Sequence, residues 1–67
     1  MPADLQLHVL LLRGSLLESA GRADEAESAL KAALPIGGKR VAVELGGFYM
    51  RAGRYADAQR VAEEDLA

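Results

Sequence analysis

GSLLESAGRADEAESALKAAL, residues 14–34, and GGFYMRAGRYADAQRVAEEDL, residues 46–66, carry one pattern twice. Gly14, Ala20, Gly21, Arg22, Ala26 and Leu34 return as Gly46, Ala52, Gly53, Arg54, Ala58 and Leu66, each 32 positions later. A constant offset of this size marks stacked supersecondary units, none of which can bury its apolar face alone. Apolar residues in both stretches recur at three- and four-residue steps, so each unit reads as a helical hairpin. Gly21 and Gly53 follow the last periodic residue of a helix, where a left-handed C-cap belongs.

Outward from these turns, the spacing predicts four helices. The first covers about 5–20, with Val9, Leu10, Leu12, Leu16, Leu17 and Ala20 as its apolar stripe. A strand competes over residues 5–12, where apolar residues are dense, but the unbroken period through Ala20 favours helix. The second begins at Ala23 or Asp24, with Asp24 and Glu25 favoured in its first turn by the dipole. Its seam is Ala26, Ala29, Leu30, Ala33 and Leu34, with Glu25, Glu27, Ser28 and Lys31 facing out. Pro35 is expected to end it, since proline lacks the donor that a continuing helix needs.

Residues 35–38 then form the one clear break. The third helix covers about 39–52 around Val41, Ala42, Leu45, Phe48, Tyr49 and Ala52. Gly46 and Gly47 interrupt it, each at a cost of up to ~1 kcal/mol relative to Ala, which suggests that packing needs one of them. The fourth starts at Tyr55, with Ala58, Val61, Ala62 and Leu66 inward. It ends on Glu63-Glu64-Asp65, three carboxylates that oppose the dipole. A frayed end and a chain excised from a longer array both fit that ending. The expectation is one all-α domain over 1–67, two stacked antiparallel hairpins at about 5–35 and 39–67.

Composition narrows the function. Sixty-seven residues allow one domain, and a core this small rarely supplies more than roughly 3–5 kcal/mol. Cys is absent, so neither a disulfide nor a thiolate–metal site can staple the fold. The net charge of -2 gives no basic face for nucleic acid. No run reaches the roughly 18–20 apolar residues of a membrane span, and Asp4 sits where a signal peptide would be positive. These readings leave a cytoplasmic protein without nucleic-acid or membrane partners.

The repeated residues resemble the tetratricopeptide repeat. The resemblance rests on Gly14, Leu17, Gly21-Arg22, Ala26, Leu30 and Ala33-Leu34, and more closely on Leu45-Gly46, Tyr49, Gly53-Arg54-Tyr55 and Ala58. It covers nearly the whole chain as two repeats. The offset of 32 is shorter than the family's 34, Arg13 stands where a leucine is usual, and Asp65 replaces the first repeat's Ala33. The resemblance implies close helix crossings at Gly14–Ala26 and Gly46–Ala58. It also implies a concave groove lined by the first helix of each repeat, with His8, Leu11, Ser15 and Glu18 from one and Arg40, Val43, Gly47, Met50 and Arg51 from the other. Family members that grip a peptide carboxylate use Asn and Lys; Ser15 and Gly47 stand at the matching places here, so that function is not expected.

No catalytic constellation is found. A nucleophile needs a base beside it; His8 is the only histidine, and Ser15, Ser19 and Ser28 have no motif around them. Glu63, Glu64 and Asp65 point three ways on a helix, which is no metal site. The segment ahead of Lys39 lacks the strand, the first glycine and the Ser or Thr of a phosphate loop. The chain is therefore expected to be a non-enzymatic protein-interaction module, without cofactor or metal. Its groove, with Arg40 and Arg51 flanking Val43, Met50 and a depression at Gly47, suits an acidic, partly apolar peptide or helix. The alternative is a self-associating structural unit, or a fragment of a larger regulatory protein.

Overall fold

A computed structural model describes residues 2–66. The described residues form four helices and no strand: α1 (Ala3–Ser19), α2 (Ala23–Gly37), α3 (Lys39–Arg51) and α4 (Tyr55–Asp65). Residues 5–12, where a strand competed, lie inside α1.

The two hairpin turns match bond for bond. Arg22 N–H donates to the Leu17 carbonyl at 2.8 Å, and Arg54 N–H to the Tyr49 carbonyl at 2.8 Å. Gly21 N–H reaches Glu18 O at 3.0 Å and Gly53 N–H reaches Met50 O at 3.1 Å. This is the paired Schellman pattern, and it requires a left-handed residue at each glycine. Gly21 has φ 78° and Gly53 has φ 74°, where a side chain would be strained. Arg22 and Arg54 then swing back onto the first turn of the next helix, donating from Nε to Glu25 (2.9 Å) and Asp57 (2.8 Å).

Pro35 does not end α2. The helix runs two residues further, to Gly37. Proline removes only the donor to the Lys31 carbonyl, and Lys31 is exposed, so water can take that bond. Ile36 gains packing against the small cluster of Leu7, Ala33 and Val41 by staying helical. The break contracts to Gly38 alone, at φ 59° and ψ −131°, which caps α2 and begins α3.

Two small clusters make the core. One gathers Ala26 and Leu30 of α2, Ala42, Leu45, Phe48 and Tyr49 of α3, and Val61 of α4. The other joins Leu7 of α1 to Ala33 and Val41. The Cα positions fill a slab of 34 × 30 × 12 Å, thin enough that several large apolar side chains stay uncovered. The stripe expected of α1 is corrected here. Only Leu7 and Gly14 of that helix are buried; Leu10, Leu11 and Leu17 are half-buried, and Val9, Leu12, Leu16 and Ala20 are exposed. Of the inward set expected for α4, Val61 is buried and Ala58 half-buried, while Ala62 and Leu66 face solvent.

The expected close crossings are realised in one hairpin. A Cβ placed on Gly14 would lie 3.1 Å from Leu30 Cγ and 3.7 Å from the Ala26 carbonyl oxygen, so any larger residue there would push Leu30 aside. A Cβ on Gly46 would meet only Val61 Cγ1 at 4.0 Å. Ala62 stands in α4 where Leu30 stands in α2, and it leaves that space open.

Candidate functional site

Two features stand out: a polar joint between the hairpins and an apolar groove on the second hairpin. The joint is centred on Glu27 of α2. Its carboxylate accepts from the Tyr49 hydroxyl, and Arg54 donates to it from both terminal nitrogens, at 2.8 and 3.2 Å. Lys31 adds a fourth contact at 3.2 Å. The Arg54 guanidinium also lies over the Tyr49 ring, 4.8 Å from its centroid, a cation–π geometry. Hydrogen bonds from Arg54 and then Tyr49 hold the Glu27 carboxyl down to about 2. Burial, reinforced by the Glu27 hydrogen bond, pushes the Tyr49 phenol well above its ordinary value. Sequence spacing had Glu27 facing solvent; it is instead the pin that fixes one hairpin against the next.

A second tie crosses from α1 to α3. Arg51 donates to Glu18 in a two-pronged pair, Nε at 2.7 Å and Nη2 at 2.9 Å. The hydrogen bond lowers the Glu18 pKa and raises that of Arg51. This pair joins two residues that the sequence assigned to one concave surface, and it spends their charges on each other. His8 is also engaged within its own helix, with Nδ1 donating to the Asp4 carbonyl at 2.7 Å. Ser15 and Arg40 are exposed and Leu11 is half-buried against the core. At Gly47, where a depression was expected, the Arg51 guanidinium stands alongside, with Nη1 3.3 Å from where a Cβ would be.

The remaining apolar residues of that surface, Val43 and Met50, open sideways onto α4. With Gly46, Gly47, Tyr55, Ala58, Gln59, Ala62 and Leu66 they line a shallow groove between α3 and α4. Its walls are mostly hydrocarbon, and Val43, Met50, Tyr55 and Leu66 are all exposed. Tyr55, Ala62 and Leu66 were not expected at a binding surface. The signal was present in the repeat itself: Leu30 becomes Ala62 after 32 residues, which empties the site that Leu30 fills.

Among the described residues, no three His, Asp or Glu side chains are grouped to hold a metal ion. No helix among the described residues is long and apolar enough to cross a membrane. In comparisons with protein-family models, curated proteins and solved structures, nothing matches this chain.

Proposed function

We propose that this chain is a non-enzymatic protein-docking module, a pair of tetratricopeptide-like hairpins that receives an apolar helical face in the α3–α4 groove. One observation carries the reading. Shifted back by 32, the groove residues Val43, Gly46, Ala58, Ala62 and Leu66 become Leu11, Gly14, Ala26, Leu30 and Leu34. All five of these are buried or half-buried, and Leu11, Ala26, Leu30 and Leu34 sit in the cluster that contains Phe48 of α3. The first hairpin thus uses this surface to take a helix, and the second hairpin leaves Val43, Ala62 and Leu66 of the same surface exposed. The α1–α3 face is the weaker surface for an acidic peptide, because Glu18 already occupies Arg51.

The probe is a helix-stapled peptide with the sequence of residues 38–52, titrated into isotope-labelled protein. Amide shift changes should centre on Gly46, Met50, Ala58 and Ala62, and Ala62→Glu should remove them. Shifts centred on His8, Ser15 and Arg40, or none at all, overturn the reading.

A further inference from the structure

We infer that the occupant of the α3–α4 groove is α1 of a second copy of this chain, docked head to tail. The inference rests on the docking reading above and names its partner. Inside the chain, α3 lies on the first hairpin through Val41 and Phe48, which are 0% and 1% exposed. Their counterparts 32 residues earlier are Val9 and Leu16 of α1. These are 39% and 61% exposed, large apolar side chains with nothing over them. The helix face that α3 buries and the face that α1 leaves bare are therefore the same face. The groove that accepts α3 and the groove that stands open are likewise the same groove. Moving one copy by one hairpin places Leu16 where Phe48 sits, over Ala58 and Ala62 of its neighbour, and Val9 where Val41 sits, over Lys39 and Asp65, the counterparts of Leu7 and Ala33.

Charge supports a second copy in particular. Lys31 and Leu45 both line the cleft where the two hairpins meet. At a junction between copies their places fall to Glu63 of one chain and Arg13 of the next; the Lys31 place is exposed and the Leu45 place is buried, so Arg13 has to extend outward to meet Glu63 at the rim. Both residues depart from the repeat, and the departures have opposite charge. Glu27 and Arg54 are replaced by Gln59 and Arg22, an amide oxygen facing a guanidinium. Glu25, beside Arg22, already has that arginine's Nη2 at 2.6 Å, so its charge is partnered. Leu16 fills less space than Phe48, and Ala62 less than Leu30, so the junction is looser than the internal joint. Association is accordingly weak, with self-docking expected between about 10 μM and 1 mM, the regime of small interfaces. A head-to-tail contact uses two different patches, so it propagates into open chains or closes a ring rather than stopping at a two-fold dimer.

Sedimentation equilibrium across that range should show a weight-average mass that rises with concentration and passes beyond a dimer. Leu16→Glu and Ala62→Glu change side chains that are exposed within one chain, so each should keep the wild-type helical signal and melt. Each should also weaken association by about 30-fold or more, since each sets an unpaired carboxylate in the apolar junction. Mixed together, the two variants should form a one-to-one dimer and nothing larger, since each retains the face that the other lacks. Arg13→Glu should weaken association about two- to fivefold, and Glu63→Arg added to it should restore it. Three outcomes overturn the inference. One is a monomer throughout while the 38–52 peptide still binds, which leaves the docking reading standing. Another is a two-fold dimer insensitive to Ala62→Glu. The third is a variant mixture that stays monomeric. If the peptide also fails to bind, the docking reading falls as well.

Discussion

Replacing Glu27 by Gln removes the charge at the joint while keeping an oxygen for the Tyr49 hydroxyl. The Glu27 side chain is only 14% exposed, and its carboxyl lies at about 2 against an ordinary 4.5. A gap of that size corresponds to about 3 kcal/mol of stability at neutral pH. Arg54 and Lys31 keep contact with water, which screens the attraction, so about 1–2 kcal/mol is the expected loss. The carboxyl is depressed in the folded state, so its contribution is complete above the ordinary carboxylate range. It disappears as the pH falls from about 4.5 toward 2. In a fold with a few kcal/mol to spare, that loss lowers the melting temperature by roughly 10 °C. Helical ellipticity at 222 nm, followed in urea and heat at pH 7, 5 and 3, measures it. Wild type should weaken on acidification, and Glu27→Gln should start weaker and change less. Equal stability at pH 7 with an unchanged acid slope would refute the role given to this joint.

Three further substitutions test the packing. Ala26→Leu should cost about 1–3 kcal/mol in urea denaturation, because Ala26 is fully buried beside Gly14. Ala58 is half-buried against the Phe48 cluster beside the open groove, so Ala58→Leu should cost less than Ala26→Leu, within about 1 kcal/mol of wild type. Phe48→Ala should cost about 3–5 kcal/mol, enough to leave the chain largely unfolded by circular dichroism at 25 °C. Gly21→Ala and Gly53→Ala should each cost about 1–2 kcal/mol and by similar amounts, since both residues hold the same left-handed conformation; a twofold difference between their midpoint shifts would break the equivalence of the two turns.

Turn chemistry made most of the fold readable. Gly21 and Gly53 can take a conformation that their neighbours cannot, so the hairpin bends are written in single residues. The period then fixed α3 well: of the six apolar positions expected, Val41, Ala42, Leu45, Phe48 and Tyr49 are buried along one face, and Ala52 is exposed just past the helix end. It failed for α1 for a physical reason: periodicity shows which residues are apolar and on which side, but not whether anything covers them. Val9 and Leu16 look like core because they repeat as Val41 and Phe48, and only the stacking order of the hairpins leaves them bare. Pro35 misled in the opposite sense, since a proline in a last turn costs one exposed bond while Ile36 gains a packing site. Glu27 was invisible as a pin because its partners, Tyr49 and Arg54, come from beyond the linker. Its own counterpart, Gln59, gives no hint of an ion pair. The groove needed the comparison of Leu30 with Ala62, a difference inside an otherwise faithful repeat.

The central claim is that equivalent residues of the two hairpins have opposite exposure. Methyl and aromatic relaxation by a soluble gadolinium chelate, recorded on dilute protein below the self-docking range, tests it residue by residue. Strong attenuation at Leu16, Val9, Val43 and Met50, with protection at Phe48, Val41, Leu30 and Ala26, is the predicted result. Protection of Leu16 and Val9 in the isolated chain, or matching attenuation at Leu16 and Phe48, would contradict it.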